Sequence, residues 1–127
     1  MNEVVIVAGT NIEPDLNMQE ARRNLSQISI ILNESRVYTT KPVVFTNQPD
    51  FLNAAFWVKT KDNKEDFKKK LKEIEKKQGR VKTNNKSGPR CIDLDIVVWN
   101  REIVDKDFYV YSYIKDTVLE ALPDLKF

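Results

Sequence analysis

Two stretches of helical periodicity, each flanked by strand-like runs, constrain the fold of this chain more than any other feature. Met18, Ala21, Leu25 and Ile28 recur at the spacing that puts side chains on one helix face, and Phe67, Leu71 and Ile74 do the same further on. Val4 to Ala8 is a continuous apolar run, as expected of a strand buried on both faces. Asn33 to Thr40 alternates instead, with Val37 and Thr39 opposed to Arg36, Tyr38 and Thr40. Phe51 to Thr60, rich in aromatic and small apolar residues, predicts a third strand, and Cys91 to Trp99 a fourth. The order β-α-β-β-α-β predicts an α+β, ferredoxin-like fold, an antiparallel sheet with both helices packed on one face. Asp116 to Leu122 adds a short closing helix as a C-terminal extension.

Local signals punctuate this order. Asn17 with Glu20, and Asp62 with Glu65, have the spacing of capping boxes, and Gly79 ends the second helix. Gly9-Thr10-Asn11 reads as a tight turn. Pro42, Asn47 and Pro49 mark residues 41–50 as an exposed loop, and residues 80–88 have the composition of a polar loop. With 127 residues and 41% hydrophobic content, the expectation is one domain spanning residues 1–127. No apolar run reaches membrane-spanning length, and the N-terminus lacks the pattern of a secretory signal. Cys91, the single cysteine, reads as an inert buried thiol in a reducing cytosol, so a cytoplasmic protein is expected. A monomer is a separate expectation.

Composition also limits the chemistry. The chain has no histidine, which removes the usual general base, the Ser-His and Cys-His pairs and most zinc sites. Carboxylates, arginines, lysines and metal remain. The net charge is only +2, yet residues 61–90 carry twelve Lys/Arg against five Asp/Glu. Such a segment is an anion site, a nucleic-acid footprint or only the solvated face of a helix.

Asp93 and Asp95 alternate with Ile92, Leu94 and Ile96 along one strand, so the two carboxylates share a face. Like charges side by side repel, and a hard cation such as Mg²⁺ relieves them, because it prefers carboxylate oxygens with waters and phosphates. The alternative for Asp-x-Asp is a strand end whose aspartates cap turns or pair with lysine and arginine. A P-loop is absent. The third strand has aromatics but lacks the basic-Gly-aromatic start of an RNA-recognition strand, so nucleic acid is not the expected partner.

Four segments together carry a family resemblance: Gly9-Thr10-Asn11, Tyr38-Thr39-Thr40-Lys41-Pro42-Val43, Asn47 to Ala55 (NQPDFLNAA), and Gly79-Arg80 followed by Gly88 to Ile96 (GPRCIDLDI). In this order they resemble the 6-hydroxymethyl-7,8-dihydropterin pyrophosphokinases. The resemblance implies a Mg²⁺-dependent diphosphokinase of folate biosynthesis, moving diphosphate from ATP to the pterin hydroxymethyl group and releasing AMP. It implies that Asp93 and Asp95 hold two Mg²⁺ ions and that Arg80 and Arg90 contact phosphates, these four being the catalytic set. For the pterin it implies Asn53 as the reader of the ring, Phe51 and Tyr113 as its aromatic neighbours, and Thr40 and Val43 as backbone partners. On the nucleotide side it implies Lys72, Glu75 and Lys82 beside the two arginines. The family's Pro-His pair after the metal strand is missing here, and the segment from Val110 to Tyr113 is shortened. Two alternatives therefore stand: a weakened or inactive pterin-binding homologue with altered substrate, and an RNA-binding module on a ferredoxin-like sheet.

Overall fold

The computed structural model describes residues 1–42, 46–79 and 91–127. Their elements are strands β1 (Asn2–Thr10), β2 (Ile30–Glu34), β3 (Tyr38–Thr40), β4 (Phe51–Thr60), β5 (Asp93–Trp99) and β6 (Glu102–Ile103). The helices are α1 (Pro14–Ile28), α2 (Lys64–Lys77), α3 (Asp107–Val110) and α4 (Ser112–Ala121). The strands form one antiparallel sheet in the order β2-β4-β1-β5-β6, and β3 follows β2 along the same side of β4. This is the expected α+β architecture.

The alternation of β1 explains its continuous apolar sequence. Val4, Ile6 and Ala8 join Met18, Ala21 and Leu25 of α1 and Phe67, Leu71 and Ile74 of α2 in one core layer. Val5 and Val7 point the other way, into a second layer closed by Phe108 of α3 and Ile114, Val118 and Ala121 of α4. The C-terminal extension is thus longer than Asp116 to Leu122 and covers the second face of the sheet. Each fully buried side chain of this size stabilises the fold by about 1.5–3 kcal/mol, so neither face of β1 can be left open.

Several local expectations change. Helix α1 begins at Pro14, before the Asn17–Glu20 pair, because proline's fixed φ suits a first turn. Its cap, Glu13, is left-handed at φ 38°, and Asn17 Nδ2 donates to Ile12 O at 2.6 Å instead of opening the helix. Helix α2 is capped by Asn63, whose side chain accepts from Asp66 N, one residue beyond the expected start. Gly79, at φ 93°, follows the helix as expected. Gly9 and Thr10 are the last residues of β1, not a turn. The second predicted strand is interrupted at Ser35, which bonds Ala55 through both its backbone N–H (2.9 Å) and its Oγ (2.9 Å). Cys91 is half-buried and free.

A bulge shapes β5. Val5 pairs with Val98 and Ile6 with Ile96, so Val97 is the extra residue, and Val97 and Val98 both enter the second core layer. On its N-terminal side the alternation is regular, with Ile92 and Leu94 in the first core layer. Asp93 lies opposite Gly9 and Asp95 opposite Val7.

Candidate active site

A cleft of about 310 Å³ opens where β1, β3, β4 and β5 meet the start of α4. Its floor is Val7, Gly9 and Asn53, and Asp93 and Asp95 stand on one side. Thr40, Lys41, Pro42 and Phe51 form a second wall, and Asp107, Tyr111 and Tyr113 a third. Sheet register explains this convergence, because Asn53 of β4, Gly9 of β1 and Asp93 of β5 are consecutive cross-strand neighbours. Asn53 also pairs with Tyr38 of β3, which brings Thr40 alongside Phe51.

Asn53 is held tightly. It is buried, and its Nδ2 donates to Thr40 Oγ1 at 2.6 Å. Gly9 makes room for it, since a Cβ on that residue would stand 3.1 Å from Asn53 Oδ1. Asn11, just beyond β1, donates from Nδ2 to Gln48 Oε1 at 2.7 Å and Pro49 O at 3.1 Å, tying the 46–50 segment to the end of β1. The Gly-Thr-Asn triplet therefore shapes the cleft through a missing side chain and a loop tether.

The two aspartates share a face as the alternation predicts. Asp95 is open to the cleft. Lost hydration, then repulsion from Asp93, Glu75 and Asp105, push it up to about 7. The Tyr113 hydroxyl is pushed up to about 12 by burial and by Tyr111 and the neighbouring carboxylates. Tyr113 and Tyr111 stack obliquely, with ring centroids 5.8 Å apart.

A second cavity, about 580 Å³, lies between α2 and the outer side of β5. Lys64, Lys68 and Lys72 of α2, Lys106 and Asp105 line it together with Leu94, Asp95 and Ile96. Asp95 borders both cavities, so they meet at the carboxylate whose charge is hardest to maintain.

Of the residues singled out in the sequence, Thr40, Phe51, Asn53, Asp93, Asp95 and Tyr113 converge on the first cleft. Lys72 borders the second. Glu75 lies in the interior at 3% exposure, where its Oε2 accepts the Leu94 N–H at 2.7 Å and its Oε1 is 3.6 Å from Lys72 Nζ. Val43, Arg80, Lys82 and Arg90 lie outside the described residues. Sequence reasoning missed Asp107 and Tyr111, which needed the turn of α3 to reach the cleft, and Lys106, which carries no local signal; Lys68 belongs to the basic 61–90 segment, where nothing singles it out. Among the described residues, no three or more His, Cys, Asp or Glu side chains are grouped to hold a metal.

Fold and cleft together define an α+β domain with an aromatic-walled, acidic cleft on the end of an antiparallel sheet. The model of the 7,8-dihydro-6-hydroxymethylpterin-pyrophosphokinase family matches residues 5–124, and the chain belongs to that family. A mitochondrial folate synthesis bifunctional protein of Arabidopsis thaliana is 39% identical over 130 residues, covering 98% of this chain and 23% of its own length. A second Arabidopsis folate synthesis bifunctional protein is 38% identical over 107 residues, covering 83% of the chain and 22% of itself. The folic acid synthesis protein fol1 of Pneumocystis carinii is 46% identical over 83 residues, 65% of the chain and 11% of its own length. The chain thus spans about a tenth to a quarter of the length of these relatives. No described helix is long and apolar enough to cross a membrane.

Proposed function

We propose that this chain transfers the β,γ-diphosphate of ATP to the hydroxymethyl group of 6-hydroxymethyl-7,8-dihydropterin, releasing AMP, as a step of folate biosynthesis. The observation that carries the reading is the convergence of Asn53, Thr40, Phe51 and Tyr113 with Asp93 and Asp95 on one cleft, in a chain of this family. Phe51 and Tyr113 stack against the flat pterin, and the amide of Asn53 offers it both a donor and an acceptor. The family resemblance assigns Val43, with Thr40, a backbone group offered to the same ring. The nucleotide takes the lysine-lined cavity, so its phosphates run past Asp95 toward the pterin hydroxymethyl group. By family resemblance Lys72, Arg80, Lys82 and Arg90 bind those phosphates, arginine's planar fork being suited to two oxygens at once, and Glu75 is ion-paired with Lys72.

Mg²⁺ fits the donor set. Lost hydration, with repulsion from Asp93 and its acidic neighbours added, lifts Asp95 to about 7, a charge that a hard cation would relieve, with waters and phosphates completing the shell. Asp93 and Asp95 would hold two such ions, which when bound neutralise charge on the transferring group. The pterin hydroxyl oxygen forms a bond to the β-phosphorus, the bond from that phosphorus to the bridging oxygen of AMP breaks, and the hydroxyl proton passes to solvent. Cytosolic residence and a monomeric state belong to the same proposal.

Release of AMP from ATP, followed with and without the dihydropterin, tests the reading. Pterin-dependent AMP is expected; ATP turnover indifferent to the pterin would overturn it.

A further inference from the structure

We propose that Glu75 is a positioning residue for the aspartate pair, holding the edge of β5 in register between Asp93 and Asp95. The inference rests on the metal reading above and adds a residue of α2 to it. Strand β6 pairs with β5 only at Val98 and Trp99, so among the described residues no strand covers the outer edge of β5 at Leu94. Strand β1 covers the opposite edge there. The Leu94 N–H on the outer edge is taken instead by Glu75 Oε2 at 2.7 Å.

The placement is specific. Glu75 stands four residues after Leu71 and next to Ile74, on the apolar stripe of α2, and is 3% exposed. A carboxylate there is costly to bury unless its oxygens are partnered, and one partner is the amide between the two aspartates. Lys72 Nζ, 3.6 Å from Oε1, approaches the other oxygen and also borders the lysine-lined cavity. Glu75 thus fixes the pitch of the backbone from which Asp93 and Asp95 project. It borders neither cavity itself, so it acts through the strand.

Hydrogen exchange at the Leu94 amide tests this in the metal-free protein, without reference to turnover. In the wild-type chain the Leu94 amide is expected to be as protected as the Ile6 amide of central β1; exchange at the rate of an open strand edge would overturn the proposal. In Glu75→Ala, Leu94 exchange should rise about ten- to a hundredfold, the usual effect of losing a hydrogen bond to a charged acceptor, with Ile6 unchanged. Glu75→Gln keeps an acceptor oxygen and should restore protection. Equal protection of Leu94 in all three proteins would contradict the assignment. A second readout is Mg²⁺ affinity by calorimetry, expected to fall in Glu75→Ala and recover in Glu75→Gln, while KM for the pterin stays constant. A rise in pterin KM with unchanged Mg²⁺ affinity would place Glu75 on the substrate instead. If the chain is not a pyrophosphokinase, the exchange result stands or falls by itself.

Discussion

Gly9→Ala isolates the pterin-reading amide with a single methyl group. The new Cβ would lie 3.1 Å from Asn53 Oδ1, a few tenths of an ångström inside ordinary contact, so the amide must shift. Gly9 has negative φ, so the backbone accepts alanine without strain. The shift disturbs the 2.6 Å bond from Asn53 Nδ2 to Thr40 and the amide's contact with the pterin. The weakened amide–pterin contact, at about 0.5–1.5 kcal/mol, gives a rise in pterin KM of about two- to tenfold. Folding stability should move little. Replacing a strand glycine gains about 0.5–1 kcal/mol, which offsets a weakened Asn53–Thr40 bond. Steady-state kinetics at saturating ATP, with thermal melts alongside, measure both. An unchanged pterin KM would refute the steric argument, and a collapsed melting temperature would show that Gly9 serves the fold and not the cleft.

Asp95→Asn should abolish Mg²⁺-dependent turnover while leaving a folded protein; near-normal activity would remove Asp95 from the metal site. The same variant tests the charge argument without metal. Because the folded state raises Asp95 to about 7 from an ordinary 3.8, its contribution to stability is full below about pH 4 and is lost as pH rises through 7. Metal-free Asp95→Asn should therefore melt above wild type at pH 8, with the gap closing toward pH 4, and added Mg²⁺ should raise only the wild-type melt. Tyr113→Phe should keep pterin affinity and Tyr113→Ala should weaken it, read by pterin fluorescence titration; equal affinities would take the ring out of the site. Phe67, fully buried and 6.5 Å from the Trp99 ring, should cost about 3–5 kcal/mol on truncation to alanine in urea unfolding, as large core truncations do.

Side-chain periodicity made the layers legible. Met18, Ala21 and Leu25, then Phe67, Leu71 and Ile74, are the buried residues their spacing implied, with Ile28 only partly buried, and Asp93 and Asp95 share a face as their alternation required, the face that lines the cleft. What stayed hidden depends on contacts distant in sequence. Strand β6 follows a two-residue turn, Asn100-Arg101, with both φ values positive at 49° and 68°. Arginine is not a turn signal. The turn is secured by Asn100, whose Oδ1 accepts the Glu3 N–H at 2.8 Å and whose Nδ2 donates to Asn2 at 3.0 Å. The break at Ser35 arises in the same way, from its bonds to Ala55 on β4. Glu75 did leave a trace in the sequence, a carboxylate on an apolar stripe, but only the position of Leu94 gives that charge a partner. Gly9 looked like a turn residue because its actual neighbour, the side chain of Asn53, is far along the chain.

Phosphorus NMR of a turnover mixture of chain, ATP, Mg²⁺ and 6-hydroxymethyl-7,8-dihydropterin tests the central claim most directly. Growth of the AMP signal in step with a coupled pair of diphosphate resonances on the pterin is the predicted result. ADP or inorganic phosphate as the product, or AMP accumulating with no pterin diphosphate, would contradict it.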